Sequence, residues 1–297
     1  MTGSTAPGAR SVVVAGGAGA VGAMFADRWR ADGADVYILD AAFGDDIRSP
    51  GPESAARMRE ADIVVLAVPE DVALAAVATV RPLLRSTALL METLSVKSRF
   101  SAAVARLDGV DVDAGGPIVG VNPMFAPSLG LPGRAVAVVV HRGGPGADLL
   151  LDDLARWGAR REVTTADRHD RLCAAVQALT HATILSFGCA LADLGVDADE
   201  TATLATPPFT TMSAMLARIT GGTPEVYRDV QRSNPCAPAA RDALARAVSR
   251  VSAACDGDDD TAGTEFTALL ARAGASLGDR GDGYAEMCAR LFDGMAS

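Results

Sequence analysis

The sequence is short of aromatic residues, of lysine and of paired cysteines. Aromatics make up 4% of its 297 residues, so its cores must be built from Ala, Val and Leu. The five cysteines (Cys173, Cys189, Cys236, Cys255, Cys288) are an odd, scattered set with no CxxC pair. They supply neither a disulfide framework nor a zinc site, and they fit a reduced, cytoplasmic compartment. Basic residues number 27 against 37 acidic ones, a net charge of −10. That balance argues against a nucleic-acid surface or a polybasic membrane anchor as the main function. No apolar run reaches about 18 residues, so no membrane span is expected. The first ten residues contain no apolar stretch of the kind a signal peptide needs. Hydrophobic residues at 49% and charged residues at 22% fit a packed globular protein rather than a disordered one. Lys97 is the only lysine.

The first half alternates strand and helix patterns. Residues 1–10 read as a frayed tail. Apolar runs at Ser11–Ala15, Val36–Leu39, Ile63–Val68 and Ala88–Met91 read as strands, followed by Ala135–Val140 and Glu162–Thr164. Helical patterns lie between them at Val21–Arg30, Asp71–Leu84 and Ala147–Trp157. Such alternation implies βαβ units and a mostly parallel sheet. After about residue 165 the strand patterns vanish. Leu172, Ala175, Val176, Leu179 and Thr183 recur at helical spacing, and further helices are expected at 209–219, 224–232, 238–254, 261–276 and 283–295. The expected organisation is an α/β nucleotide-binding domain over 1–164 and an all-α domain over 165–297. The acidic stretch Asp256–Asp260 lacks the spacing of a calcium loop and reads as a solvated turn.

Gly17-Ala18-Gly19-Ala20-Val21-Gly22 fits GxGxxG, after a strand and before a helix. Glycines there allow a tight turn and let backbone N–H groups approach a pyrophosphate at a helix N-terminus. Asp40 ends the next strand, where a carboxylate can accept hydrogen bonds from the adenosine ribose and repel a 2′-phosphate. The expected cofactor is therefore NAD, held by Gly17, Gly19, Ala20, Val21, Gly22, Asp40 and Val68. Arg48 lies close in sequence and leaves NADP open as the alternative.

Three later segments are more specific: Glu92-Thr93-Leu94-Ser95-Val96-Lys97, Gly120-Val121-Asn122-Pro123-Met124-Phe125-Ala126-Pro127, and Val176-Gln177-Ala178-Leu179-Thr180-His181. With the glycine loop, and in this order, they resemble the prephenate/arogenate dehydrogenase family. The resemblance runs from about residue 11 to 235. It implies a Rossmann domain, a helical dimerisation domain that makes a homodimer, and NAD-dependent oxidative decarboxylation of a cyclohexadienyl dicarboxylate. It places Ser95 near the nicotinamide, Arg218 on a substrate carboxylate and His181 in the substrate pocket. Gln177, one helical turn before His181, and Met124 are assigned as substrate contacts. Lys97 is expected to have a structural or electrostatic role by the site. His141 and His169 are read as domain-surface residues without a role.

The chain departs from the family where its His-Pro-Met segment reads Asn122-Pro123-Met124. That histidine assists proton removal from the substrate 4-hydroxyl, which an asparagine cannot do, and such assistance contributes about 10²–10⁴-fold. A substrate with an amine at C4 removes the need, because nitrogen carries the positive charge that develops as hydride leaves. This points to 4-amino-4-deoxyprephenate as substrate and 4-aminophenylpyruvate as product, on the way to 4-aminophenylalanine for an antibiotic. Asn122 joins Ser95 and His181 as a catalytic candidate. The alternatives are a prephenate or arogenate dehydrogenase with a replaced base, and a silent NAD-binding homologue. An imine or β-hydroxyacid reductase shares the plan but not the Ser-Val-Lys and Asn-Pro-Met segments. Ala126 replaces a family glycine, and Thr210 stands where some relatives carry a second arginine.

Overall fold

The computed structural model describes residues 9–109, 115–256 and 259–295. Residues 1–8 of the expected tail, and residues 257 and 258 of the acidic turn, lie outside the described residues. The chain divides into two compact units, residues 1–173 and 174–297.

In the first unit the elements run β1 (Ser11–Ala15), α1 (Ala20–Ala31), β2 (Asp35–Leu39), α2 (Pro52–Glu60), β3 (Ile63–Leu66), α3 (Glu70–Val80) and β4 (Leu89–Glu92). They continue through α4 (Ser98–Asp108), β5 (Ile118–Pro123), β6 (Ala135–Arg142), α5 (Pro145–Arg156), β7 (Arg160–Thr164) and α6 (Ala166–Cys173). The strands form one sheet in the order β2-β1-β3-β4-β5-β6-β7, parallel except where β5 meets β6. Strand alternation sorts the apolar residues onto two faces. Val12, Val14, Ile63, Val65, Leu89 and Met91 pack with Phe25 and Trp29 of α1 and Leu150 and Leu154 of α5. Val13, Ala15, Val64, Leu66 and Leu90 pack with Met58 of α2, Val77 and Val80 of α3, and Phe100 and Val104 of α4. The result is a helix–sheet–helix sandwich, as the alternating pattern implies.

Both tryptophans serve the first core. Trp29 and Trp157 meet edge to face with centroids 5.4 Å apart. Their indole N–H groups are satisfied by Asp153 at 3.2 Å and Asp32 at 2.9 Å.

Strand β5 has no counterpart among the strands expected from the sequence. Gly120 interrupts its apolar run and Pro123 ends it, and both residues weaken a strand signal. The loop between β5 and β6 has only one short turn, Pro127–Leu129. Without a crossover helix the next strand can only return antiparallel.

The second unit is helical among its described residues. A π-helical turn (Ala174–Leu179) leads into α7 (Thr180–Leu194), α8 (Ala198–Thr203), α9 (Pro207–Thr220), α10 (Pro224–Ser233), α11 (Ala237–Cys255), α12 (Asp259–Ala275) and α13 (Gly281–Asp293). The short helix α8 is additional to those expected; Asp197 caps it by accepting from the Asp199 amide. The helical run Ala166–Leu194 is, by length and composition alone, long and apolar enough to cross a membrane. Its small and polar residues, Thr180, His181 and Thr183, break the run in the sequence and hide that property from a search for unbroken apolar stretches.

Candidate active site

The chain leaves β1 for β2 on one side and reaches β3 on the other, so the carboxyl ends of β1 and β3 form a topological switch point, where open α/β sheets bind ligands. The glycine loop lies there. Gly16 turns the chain with φ +78°. A Cβ on Gly22 would meet the Gly16 carbonyl oxygen at 2.3 Å, so glycine is what lets α1 start against the loop. Ala18, Gly19 and Ala20 are exposed, which leaves the first-turn amides of α1, at Ala20, Val21 and Gly22, open to an anion. A Cβ on Gly17 would meet the Ile38 side chain at 2.6 Å, and one on Gly16 would meet Val68 at 3.0 Å, so both neighbours close on the loop.

Asp40 stands beside it. One carboxylate oxygen accepts from the Ala18 amide at 2.9 Å and the other from Ala42 at 3.0 Å. Each oxygen keeps acceptor capacity for a hydroxyl. Arg48 is committed to Asp46, with Nη2 2.6 Å and Nε 3.0 Å from its carboxylate, and hydrogen bonds from Arg48 hold the Asp46 pKa at about 2. A guanidinium so neutralised is poorly placed to attract a 2′-phosphate. The loop, the amides and Asp40 fit an adenine dinucleotide.

The ends of β4 and β5 lie along the same edge. Ser95 is half-buried in the loop after β4, and Met124 follows β5, its amide bonded to Ala135. Beneath them Glu92, Lys97 and His141 form a buried cluster. Lys97, fully buried, donates to Glu92 at 2.7 Å and to the Val121 carbonyl at 3.2 Å. His141 meets the other Glu92 oxygen at 3.1 Å. Burial opposes ionisation of Glu92, but Lys97 and His141 outweigh it and hold its pKa below the ordinary value. Burial pushes Lys97 down, against the attraction of Glu92. A Cβ on Gly120 would fall 2.0 Å from Glu92 Oε1, so glycine keeps the lane for this pair clear. The Lys97 side chain is thus a buried structural charge below the site.

Asn122, at the end of β5, is buried, with Nδ2 3.1 Å from Nε2 of His169. His169 Nδ1 lies 2.8 Å from Asp170 Oδ1. Asp170 also accepts from the Lys97 and Ser98 amides, both at 2.9 Å, and so caps α4 from a distant helix. Burial works against its charge, but the hydrogen bonds from His169, Ser98 and Lys97 outweigh it and depress its pKa. The surface reading of His141 and His169 is therefore corrected: both side chains are 1% exposed. His169 and Asp170 are the residues the sequence reading missed. The available signal was His169 and Cys173 one turn apart on a single face of α6, which buries both.

In the second unit Gln177 lies about one turn before His181, and Arg218 lies near His181. His181 meets the Tyr227 ring edge to face at 5.0 Å. Burial, and then the nearby charge of Arg218, push its pKa down, so its imidazole is neutral at pH 7. Gln177 Oε1 and His181 Nδ1 are buried without a hydrogen-bond partner among the described residues. Arg218 is exposed and has no ion-pair partner among them. The Arg218 guanidinium suits an anionic group of a ligand, whereas Gln177 Oε1, an acceptor, calls for a donor on the ligand.

Two family models match parts of the chain. The family model for the prephenate dehydrogenase nucleotide-binding domain matches residues 41–130, and that for its dimerization domain matches residues 165–271. The chain is 47% identical, over 94% of its length and 95% of the relative's, to the 4-amino-4-deoxyprephenate dehydrogenase of Streptomyces pristinaespiralis. Solved structures of the same fold include prephenate dehydrogenase from A. aeolicus in complex with hydroxyphenyl propionate and NAD+ (TM-score 0.64, 18% identity, 89% of this chain and 97% of that one). Arogenate dehydrogenase from Synechocystis is another (TM-score 0.61, 18% identity, 92% and 99%).

Proposed function

The chain belongs to the prephenate dehydrogenase family, and from that membership we propose that it converts 4-amino-4-deoxyprephenate and NAD to 4-aminophenylpyruvate, carbon dioxide and NADH. The observation that carries this reading is Asn122 at the end of β5, where the family resemblance calls for a histidine base. The 47% identity to a relative of that name supports it.

NAD, when bound, accepts the hydride from substrate C4. The glycine-loop amides and Asp40 are assigned to hold it. As hydride leaves, the amine lone pair forms a C=N bond and the nitrogen becomes positive. The ring carboxylate then leaves as carbon dioxide, and its electrons restore the neutral amine as the ring becomes aromatic. No proton need be removed in the transition state, so the protein chiefly positions the reactants. Arg218 is assigned to a substrate carboxylate, for which a planar fork is suited. Within the helical unit Gln177 and neutral His181 are assigned hydrogen bonds to the substrate, and within the first unit Ser95, Asn122 and Met124 are assigned to the reacting carbon. The protein's −10 charge repels a dianionic substrate, so Arg218 provides the local attraction. The dimerization-domain match supports a homodimer formed through the helical unit, and the scattered cysteines favour a reduced, cytoplasmic setting. The product would supply 4-aminophenylalanine for an antibiotic.

The test is initial-rate NADH formation with 4-amino-4-deoxyprephenate, prephenate and arogenate, each with NAD and with NADP. Preference for the amino substrate with NAD supports the reading. Equal or better turnover of prephenate overturns it, and NAD binding without any turnover makes the chain a silent homologue.

A further inference from the structure

We propose that His169, held by Asp170, sets which end of the Asn122 amide faces the substrate, and so acts as a positioning residue for recognition of nitrogen at C4. The inference rests on the function proposed above and adds to it a residue outside the motifs.

Asp170 anchors the arrangement. Its two oxygens accept backbone N–H groups from Lys97 and Ser98, a role for a carboxylate rather than a carboxylic acid. An ionised Asp170 must receive a proton from His169 Nδ1, 2.8 Å away. A neutral imidazole protonated at Nδ1 has only a lone pair at Nε2. That nitrogen faces Asn122 at 3.1 Å and the Cys173 sulfur at 3.5 Å. Cys173 can donate S–H there, since burial pushes its pKa up to about 12. Asn122 must therefore turn its NH2 toward His169. Its carbonyl oxygen, which makes no hydrogen bond among the described residues, is left for the substrate.

That orientation has a chemical consequence. A carbonyl oxygen accepts an N–H from the C4 amine and leaves the nitrogen lone pair free to form the C=N bond. The reversed amide would donate to that lone pair and tie it up. A C4 hydroxyl can also donate to the oxygen, but a neutral amide cannot take its proton as hydride leaves. Orientation and neutrality together favour nitrogen over oxygen.

The test is His169→Gln in the full-length, NAD-bound enzyme, because a glutamine can offer either a donor or an acceptor and no longer fixes the amide. The expected result is a fall of at least about tenfold in the ratio of kcat/KM for the amino substrate to that for prephenate, the scale of one misoriented buried hydrogen bond. NAD affinity should be unchanged. An equal fall for both substrates, or an unchanged ratio, overturns the proposal and makes His169 purely structural. The wild-type enzyme gives a second, substrate-free measurement. A long-range 1H–15N spectrum of its three histidines should show His169 protonated at Nδ1 and bare at Nε2. A proton on Nε2 overturns the proposal even if the amino substrate is the right one. If wild type fails to turn over the amino substrate, the proposed function fails instead, and the spectrum alone decides the amide orientation.

Discussion

Replacing Asn122 by histidine should convert the specificity of the site. The lone pair on His169 Nε2, 3.1 Å from the present amide, would accept an N–H from the new imidazole. The second nitrogen of that imidazole would then be unprotonated, which is the form a general base requires. Such a base adds about 10²–10⁴-fold, which corresponds to about 2.7–5.5 kcal/mol of barrier. The new ring must fit where Asn122 is now 3% exposed, at a strand end between β5 and α6. Overpacking there costs about 1–3 kcal/mol of stability and displaces the ring from its best position. The expected gain is therefore at the lower end, about 10²-fold in kcat/KM for prephenate. The amino substrate gains nothing, because its transition state releases no proton, and it loses the carbonyl acceptor. NADH absorbance with both substrates gives the two constants. Thermal unfolding and NAD affinity show whether the variant is intact. An intact variant with no rise in prephenate turnover would refute the reasoning.

Four further outcomes follow from the geometry. Lys97→Met should destabilise the protein by about 3–5 kcal/mol in urea unfolding, because it leaves Glu92 buried without its ammonium partner; a loss under about 1 kcal/mol would show that Glu92 is not held ionised by Lys97. Arg218→Ala should raise KM for the substrate about 10–100-fold, the scale of lost charge-assisted hydrogen bonds, with NAD affinity unchanged; an unchanged KM would place the carboxylate elsewhere. Asp40→Asn should raise the NADP-to-NAD ratio of kcat/KM by about tenfold, through loss of a charge facing the 2′-phosphate; a constant ratio would remove Asp40 from cofactor choice. Glu92 and Asp170 have pKa values below their ordinary 4.5 and 3.8, so the stability they contribute is full above those values and is lost as pH falls through the folded ones; Asp170→Asn should be less stable at pH 7 and lose less on acidification, and an identical acid profile would refute the charged state assigned to Asp170.

What could be read from the sequence was what the chain encodes locally. The β1 run, the glycine loop and Asp40 fall within 30 residues, and each is fixed by steric rules that operate at that range. The helices of the second unit show in their periodicity for the same reason. The family motifs marked Ser95, Asn122 and His181 as special without saying what surrounds them. His169 was misread because its partners are remote: Asn122 is 47 positions away. Asp170 caps an amide 73 positions away. No local pattern records such a pairing, and a polar His-Asp pair at the start of a helix looks like a solvated first turn.

Strand β5 shows the same limit from the opposite direction. Gly120 weakens it as a strand by every local rule, yet its lack of a side chain is what lets Glu92 reach His141. The cluster draws on β4, the loop after it and β6, so the reason for the glycine exists only in the assembled sheet. Places where local propensity is overruled are where a fold has a competing requirement to meet. Here that requirement is a buried lysine anchored to the Val121 carbonyl, one residue before Asn122. The lysine and His169 both bear on the end of β5, one through the backbone and one through the side chain. A substitution at Lys97 should therefore disturb Asn122 as well as the core, and the two effects separate by measurement: stability follows the buried charge, while the amino-to-hydroxy substrate ratio follows the amide.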